Sequence, residues 1–145
     1  MKKVILLVCL IPCLVYGQIV ENFEPGNLNN WRQSTDGHWK ADTSESISGR
    51  YSLHHIFDNS AAGSDLTGIA LDSLHPSEGA VSWSFTIRHG YDPSSSNNWS
   101  VFLMSDTGPS AIITDGSANG YAIGVNLTGY DDTLRLLASS LHDDG

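Results

Sequence analysis

The chain has 145 residues, with seven Lys and Arg against sixteen Asp and Glu and a formal net charge of −9. Phosphate-backbone binding needs a basic footprint, so this balance argues against a nucleic-acid partner and against acidic membranes. The length suits one domain able to bury a core.

The first element is an export signal. Lys2 and Lys3 precede the apolar run "VILLVCLIPCLV", and "VYG" then supplies small residues for cleavage after Gly17. The run is short of the ~20 residues that a spanning helix needs. Pro12 before Cys13 and Val8 before Cys9 do not suit a lipoprotein site. Both cysteines, Cys9 and Cys13, fall inside residues 1–17. The expected mature domain, 18–145, is therefore secreted or held at the cell surface and relies on its core rather than on disulfides.

After residue 18, turn-forming residues recur every few positions and break each helical pattern. Short strand-like runs lie between them: "QIVENFE", "HWKAD", "YSLHHIF" and "TGIAL". "AVSWSFTIR" alternates, with Val81, Trp83, Phe85 and Ile87 on one side and Ser82, Ser84, Thr86 and Arg88 on the other. "NWSVFLMS" is its expected antiparallel partner, joined to it by residues 89–98. "GYAIGVNL" puts Tyr121, Ile123, Val125 and Leu127 on one face and Gly120, Ala122, Gly124 and Asn126 on the other, then turns through "TGYDD" into "TLRLLAS". The pattern predicts an all-β, two-sheet antiparallel β-sandwich or jelly roll. Asp-Asp-Gly near the end is a hairpin signal with no following strand, so the sandwich is expected to be incomplete at residue 145.

"ENFEPGNLNNW", "SGRYSLHH", "WSFTIRHGYDPSSSNNWSVFLMS" and "GYAIGVNLTGYDDTLRL" together resemble the N-terminal concanavalin A-like (laminin G-like) jelly-roll module of secreted Bacteroidota surface proteins. The carrying motifs are F-E-x-G-x-L-x-x-W, G-x-x-S-L and a G-Y strand. The resemblance implies two packed antiparallel sheets and export within a longer chain. It does not imply one function.

Catalytic signatures are hard to find. Glucanases of this fold carry Glu-x-Asp-x-x-Glu on one strand, because paired carboxylates divide the nucleophile and acid roles; no such cluster occurs here. "GSANG" places its serine one position early for a nucleophile elbow. His54 and His55 are adjacent on a strand, so they face opposite sides and cannot share a metal; His38, His75, His89 and His142 fall near turns and suggest no role. Trp31 and Trp39 flank a polar turn and suit either a core or a sugar-stacking rim, with core packing ahead. Trp83 fits the core pattern of its strand.

The loop "HGYDPSSSNNW" is the main candidate site. Asp92-Pro93 starts a turn, and the plain reading is a long hairpin connection. The functional reading is a glycan site at Asp92, Asn97, Asn98 and Trp99, or a Ca²⁺ site at Asp92, Asn97, Asp131 and Asp132, since calcium takes six to eight oxygens and loops at one end of a rigid sandwich carry binding surfaces. The expected function is a secreted, non-enzymatic module for surface binding or adhesion, with glycans or cell-surface components as partners and Ca²⁺ as the candidate ion. Two alternatives stay open: an accessory N-terminal domain of a secreted glycoside hydrolase or lyase, and a structural spacer.

Overall fold

The computed structural model describes residues 18–58, 60, 61, 63–71, 74, 79–90, 92, 94, 97–115, 118–126 and 133–140. The expected signal peptide, His75, His142, Asp131 and Asp132 lie outside them. The chain is all-β and antiparallel. In chain order it forms β1 (Trp31–Gln33), β2 (Trp39–Asp42), β3 (Ser52–His55), β4 (Thr67–Ile69), β5 (Trp99–Ser105), a short α1 (Pro109–Asp115), β6 (Asn119–Val125) and β7 (Leu134–Ser140). Three antiparallel sheets result, with β1 on β4, β2 on β3, and the order β5-β6-β7. Among the described residues no helix is long and apolar enough to cross a membrane.

The first two sheets are nested. β2 and β3 form a hairpin that registers Trp39 with His55 and Asp42 with Ser52. β1 and β4 flank it in sequence, and the Ser34 N–H donates to the Leu66 carbonyl just beyond their ladder. The Gln33 side chain ties β1 to β2 as a peptide group would. Its Oε1 accepts the Trp39 N–H at 2.9 Å and its Nε2 donates to the Trp39 carbonyl at 3.0 Å. In this way one amide satisfies both backbone polar groups of Trp39, at the end of the β2–β3 ladder.

Two motifs of the resemblance meet in space. Glu24 Oε1 accepts the N–H groups of Arg50 and Tyr51, at 2.7 and 3.2 Å. Gly49 lies against that carboxylate with φ of 69°. The Phe23 and Trp31 rings pack 5.4 Å apart beside it. The F-E-x-G and G-x-x-S-L motifs are thus two halves of one staple that anchors the start of the domain to the approach to β3. Gly49→Ala forces a side chain into the left-handed region and against Glu24, at a cost of about 1–3 kcal/mol. A lower urea midpoint with an unchanged slope is the expected reading.

In the third sheet, small residues form the buried side. Ala118, Ala122 and Asn126 are each 2 % exposed, and Gly124 is buried with them, whereas Tyr121 is 45 % exposed. Small side chains allow close approach of neighbouring backbone. Asn126 takes φ of 58°, a left-handed conformation that Asn tolerates better than most residues.

Two expected strands do not form. "QIVENFE" makes no ladder: Glu21 Oε1 accepts the Phe23 N–H at 2.8 Å, and Asn22 Oδ1 accepts the Glu24 N–H at 3.1 Å. These local side-chain bonds compete with strand pairing, and Phe23 turns to φ of 60°. "AVSWSFTIR" is not a strand either. β5 pairs with β6 instead, and Trp83, Phe85 and Ile87 are 39 %, 47 % and 38 % exposed. Alternation describes a surface that fits a sheet, but it cannot name the partner. Residues 89–98 therefore do not join two paired strands. The unexpected α1 begins at Pro109, a favoured first helical position. Asp106 closes its base, taking the Asn119 N–H at 2.9 Å and the Asn119 side-chain amide at 2.7 Å. These bonds hold the Asp106 carboxyl below its usual range.

Candidate functional site

The predicted loop is partly described. Asp92 and Asn98 are exposed. Asn97 closes a tight turn: its N–H bonds the Ser94 carbonyl at 3.1 Å and the Ser94 hydroxyl at 3.0 Å, and Ser94 N–H returns to the Asn97 carbonyl at 3.2 Å. Trp99 opens β5, half-buried and registered with Val125. Asp131 and Asp132, the other two residues suggested for Ca²⁺, lie outside the described residues. Among the described residues, no group of three or more His, Cys, Asp or Glu side chains could hold a metal ion.

Beside the start of this loop is an open polar cleft of about 490 Å³ lined by Glu45, His54, Arg88 and Gly90. Three separate stretches supply it. Glu45 sits in the β2–β3 turn at φ of 57°. His54 projects from β3. Arg88 precedes the loop, donates to the Glu45 carbonyl, and lies 3.6 Å from the Glu45 carboxylate. Gly90 leaves the wall without a side chain. His54 is fixed by its Nδ1, which lies 3.3 Å from Asp42 Oδ2. Lys40 pairs with the same oxygen. Hydrogen bonding from Lys40, then from the Ser44 backbone and hydroxyl, holds the Asp42 carboxyl well below its usual range; partial burial opposes this, and His54 adds to it. Asp42 is thus a fixed anion that orients the imidazole.

The opposite face of the hairpin carries a second arrangement. Asp65, just before β4, is 11 % exposed and takes His38 Nδ1 on Oδ1 at 2.6 Å and His55 Nε2 on Oδ2 at 2.9 Å. His38 stacks on Phe57 at 3.8 Å, and Trp39 leans on His55 at 4.7 Å. Burial pushes the Asp65 carboxyl up, but the bonds from His55 and His38 outweigh it, and the net direction is down. His54 and His55 do face opposite sides, as their adjacency predicts. His38, to which the sequence assigned no role, joins Asp65 across 27 positions. No local pattern signals that pairing.

The tryptophans divide. Trp31 and Trp39 are half-buried, and the Trp31 indole donates to Glu21 Oε2 at 3.2 Å. Trp83, expected in the core, lines an apolar groove with Leu103, Met104, Tyr121 and Leu136. Its strand lacks a ladder, so no second layer covers it among the described residues. No family model, curated protein or solved structure matches the chain.

Proposed function

We propose that this chain is an exported, non-enzymatic binding module of the concanavalin A-like jelly-roll type, and that it takes a glycan in the cleft of Glu45, His54, Arg88 and Gly90. The convergence of a guanidinium, a carboxylate and an imidazole on one open cleft carries the reading. Vicinal sugar hydroxyls both donate and accept, and these three groups together offer both functions. Gly90 lets a ring approach the backbone.

The carboxylates with a resolved shift offer no raised acid. A glycosidase needs one acid with a raised pKa to protonate the leaving group. Asp42, Asp65 and Asp106 are all shifted downward by donors. Calcium assistance would draw on Asp92 and Asn97, which follow the cleft in sequence, together with Asp131 and Asp132.

A glycan array probed with the protein, followed by titration calorimetry on the best sugar, tests the proposal. Hydrogen bonds to charged groups contribute about 1.5–3 kcal/mol. Arg88→Ala should therefore weaken binding by roughly tenfold or more while leaving the melting temperature nearly unchanged, because an exposed ion pair contributes only about 0–1 kcal/mol to stability. Repeating the titration in EDTA reads the calcium dependence. Equal affinity of the wild type and Arg88→Ala would remove the cleft as the site.

A further inference from the structure

Residues 80–87 form a strand sequence without a ladder. The segment runs between bends at Gly79 and Gly90 with no turn or helix. Its backbone groups make no hydrogen bond to any other residue among those described. It also lacks the devices that guard free strands, having no Pro, no Lys and no inward charge. From Gly79 to Ile87 it is uncharged, in a chain where acids exceed bases by more than two to one.

We infer that residues 81–87 pair antiparallel with the same residues of a second copy, about a two-fold axis at Ser84. The sequence is self-complementary in that register. Val81 falls opposite Ile87, and Trp83 opposite Phe85, so the two half-exposed aromatic rings gain cross-strand partners on one face. Ser82 and Thr86 meet on the other. Both copies then present the same patch, as a two-fold interface requires.

Charge selects the orientation. The ionisable groups at this end of the segment are Arg88 and His89. A parallel pairing would place the two Arg88 side by side. The antiparallel register separates them by eight positions, about 27 Å at ~3.4 Å per residue. That is well beyond the ~8 Å screening length at physiological salt. The general repulsion between two acidic chains is also screened, so raising salt should strengthen the dimer.

Sedimentation equilibrium of the protein from micromolar to sub-millimolar concentration tests this. The wild type should pass from the mass of one chain to that of two, with a lower dissociation constant at 0.5 M than at 0.05 M salt. Ser84→Pro removes an N–H with no partner among the described residues. It should raise the dissociation constant at least tenfold and keep the melting temperature. Ser84→Lys retains the N–H but sets two ammonium groups opposite each other on the axis, and it should do the same. A wild type that stays at one mass throughout overturns the inference, as does a Ser84→Pro dimer of unchanged affinity. Loss of the monomer's melting temperature in Ser84→Pro beside a monomeric wild type would show instead that the segment pairs within its own chain.

Discussion

Gly120→Ala should be the most damaging single-methyl change in the described sheet. Gly120 lies in β6 opposite Ser105 on β5 and Ser139 on β7. The β5–β6 register shifts between Phe102 and Met104, and this irregularity turns the Met104 carbonyl towards Gly120. A Cβ at residue 120 would collide with that oxygen, a backbone atom with no rotamer through which to withdraw. Relief requires β5 to move away from β6, against a seven-residue strand held on both edges. Overpacking of this kind costs about 1–3 kcal/mol and sometimes more. At ~3 kcal/mol the melting temperature should fall by roughly 10 °C or more. Gly79→Ala is the matched control, because nothing lies within 4 Å of its Cβ position. A thermal melt that treats the two variants alike would contradict the β5–β6 register.

Asp65→Asn should cost about 1–3 kcal/mol at neutral pH. The carboxylate accepts from two imidazoles at once, whereas an Asn amide accepts on one side and presents a donor to the other histidine. The pH dependence follows from the direction of the shift. The folded carboxyl titrates below the unfolded value of 3.8, so the unfolded chain binds more protons in that window. The contribution is fully present above the unfolded value and is lost as pH falls through the folded one. Urea melts should show the wild type well above Asp65→Asn at pH 7 and the gap closing as pH falls below the unfolded value of 3.8. A gap that persists unchanged into strong acid would mean that Asp65 acts by packing rather than as a charge.

The strand pattern was legible wherever a run of alternating residues had a partner nearby. β2, β3, β4 and β5 fall within runs that composition and turn residues delimit, and β6 and β7 each extend one residue beyond theirs. The failures have physical causes. At residues 18–24 the side chains of Glu21 and Asn22 captured backbone donors that a strand would have used. At 81–88 the alternation was real but the partner was not where the sequence suggested. β1 is three residues long and gives no periodic signal. In α1 the turn-forming residues around Pro109 masked a helix of seven residues.

The cleft itself was not legible. Of the described part of residues 89–98 only Gly90 lines it, and the suggested ligand residues Asp92, Asn97, Asn98 and Trp99 are not among its lining residues. Glu45 and His54 come from a distant hairpin. Their convergence depends on the β2–β3 register and on an Asp42 that fixes the imidazole. Pairings of that kind leave no local trace. The F-E-x-G and G-x-x-S-L motifs serve the Glu24 staple and so belong to the fold rather than to the cleft.

Glycan binding at the Glu45, His54, Arg88 and Gly90 cleft is tested most directly by a two-dimensional amide NMR titration of the protein with the best sugar from the array. Saturable shifts centred on residues 45, 54, 88 and 90, and absent in Arg88→Ala, are the predicted result. Shifts confined to the apolar groove of Val81, Trp83 and Tyr121, or no saturable shift with any sugar at millimolar concentration, would contradict it.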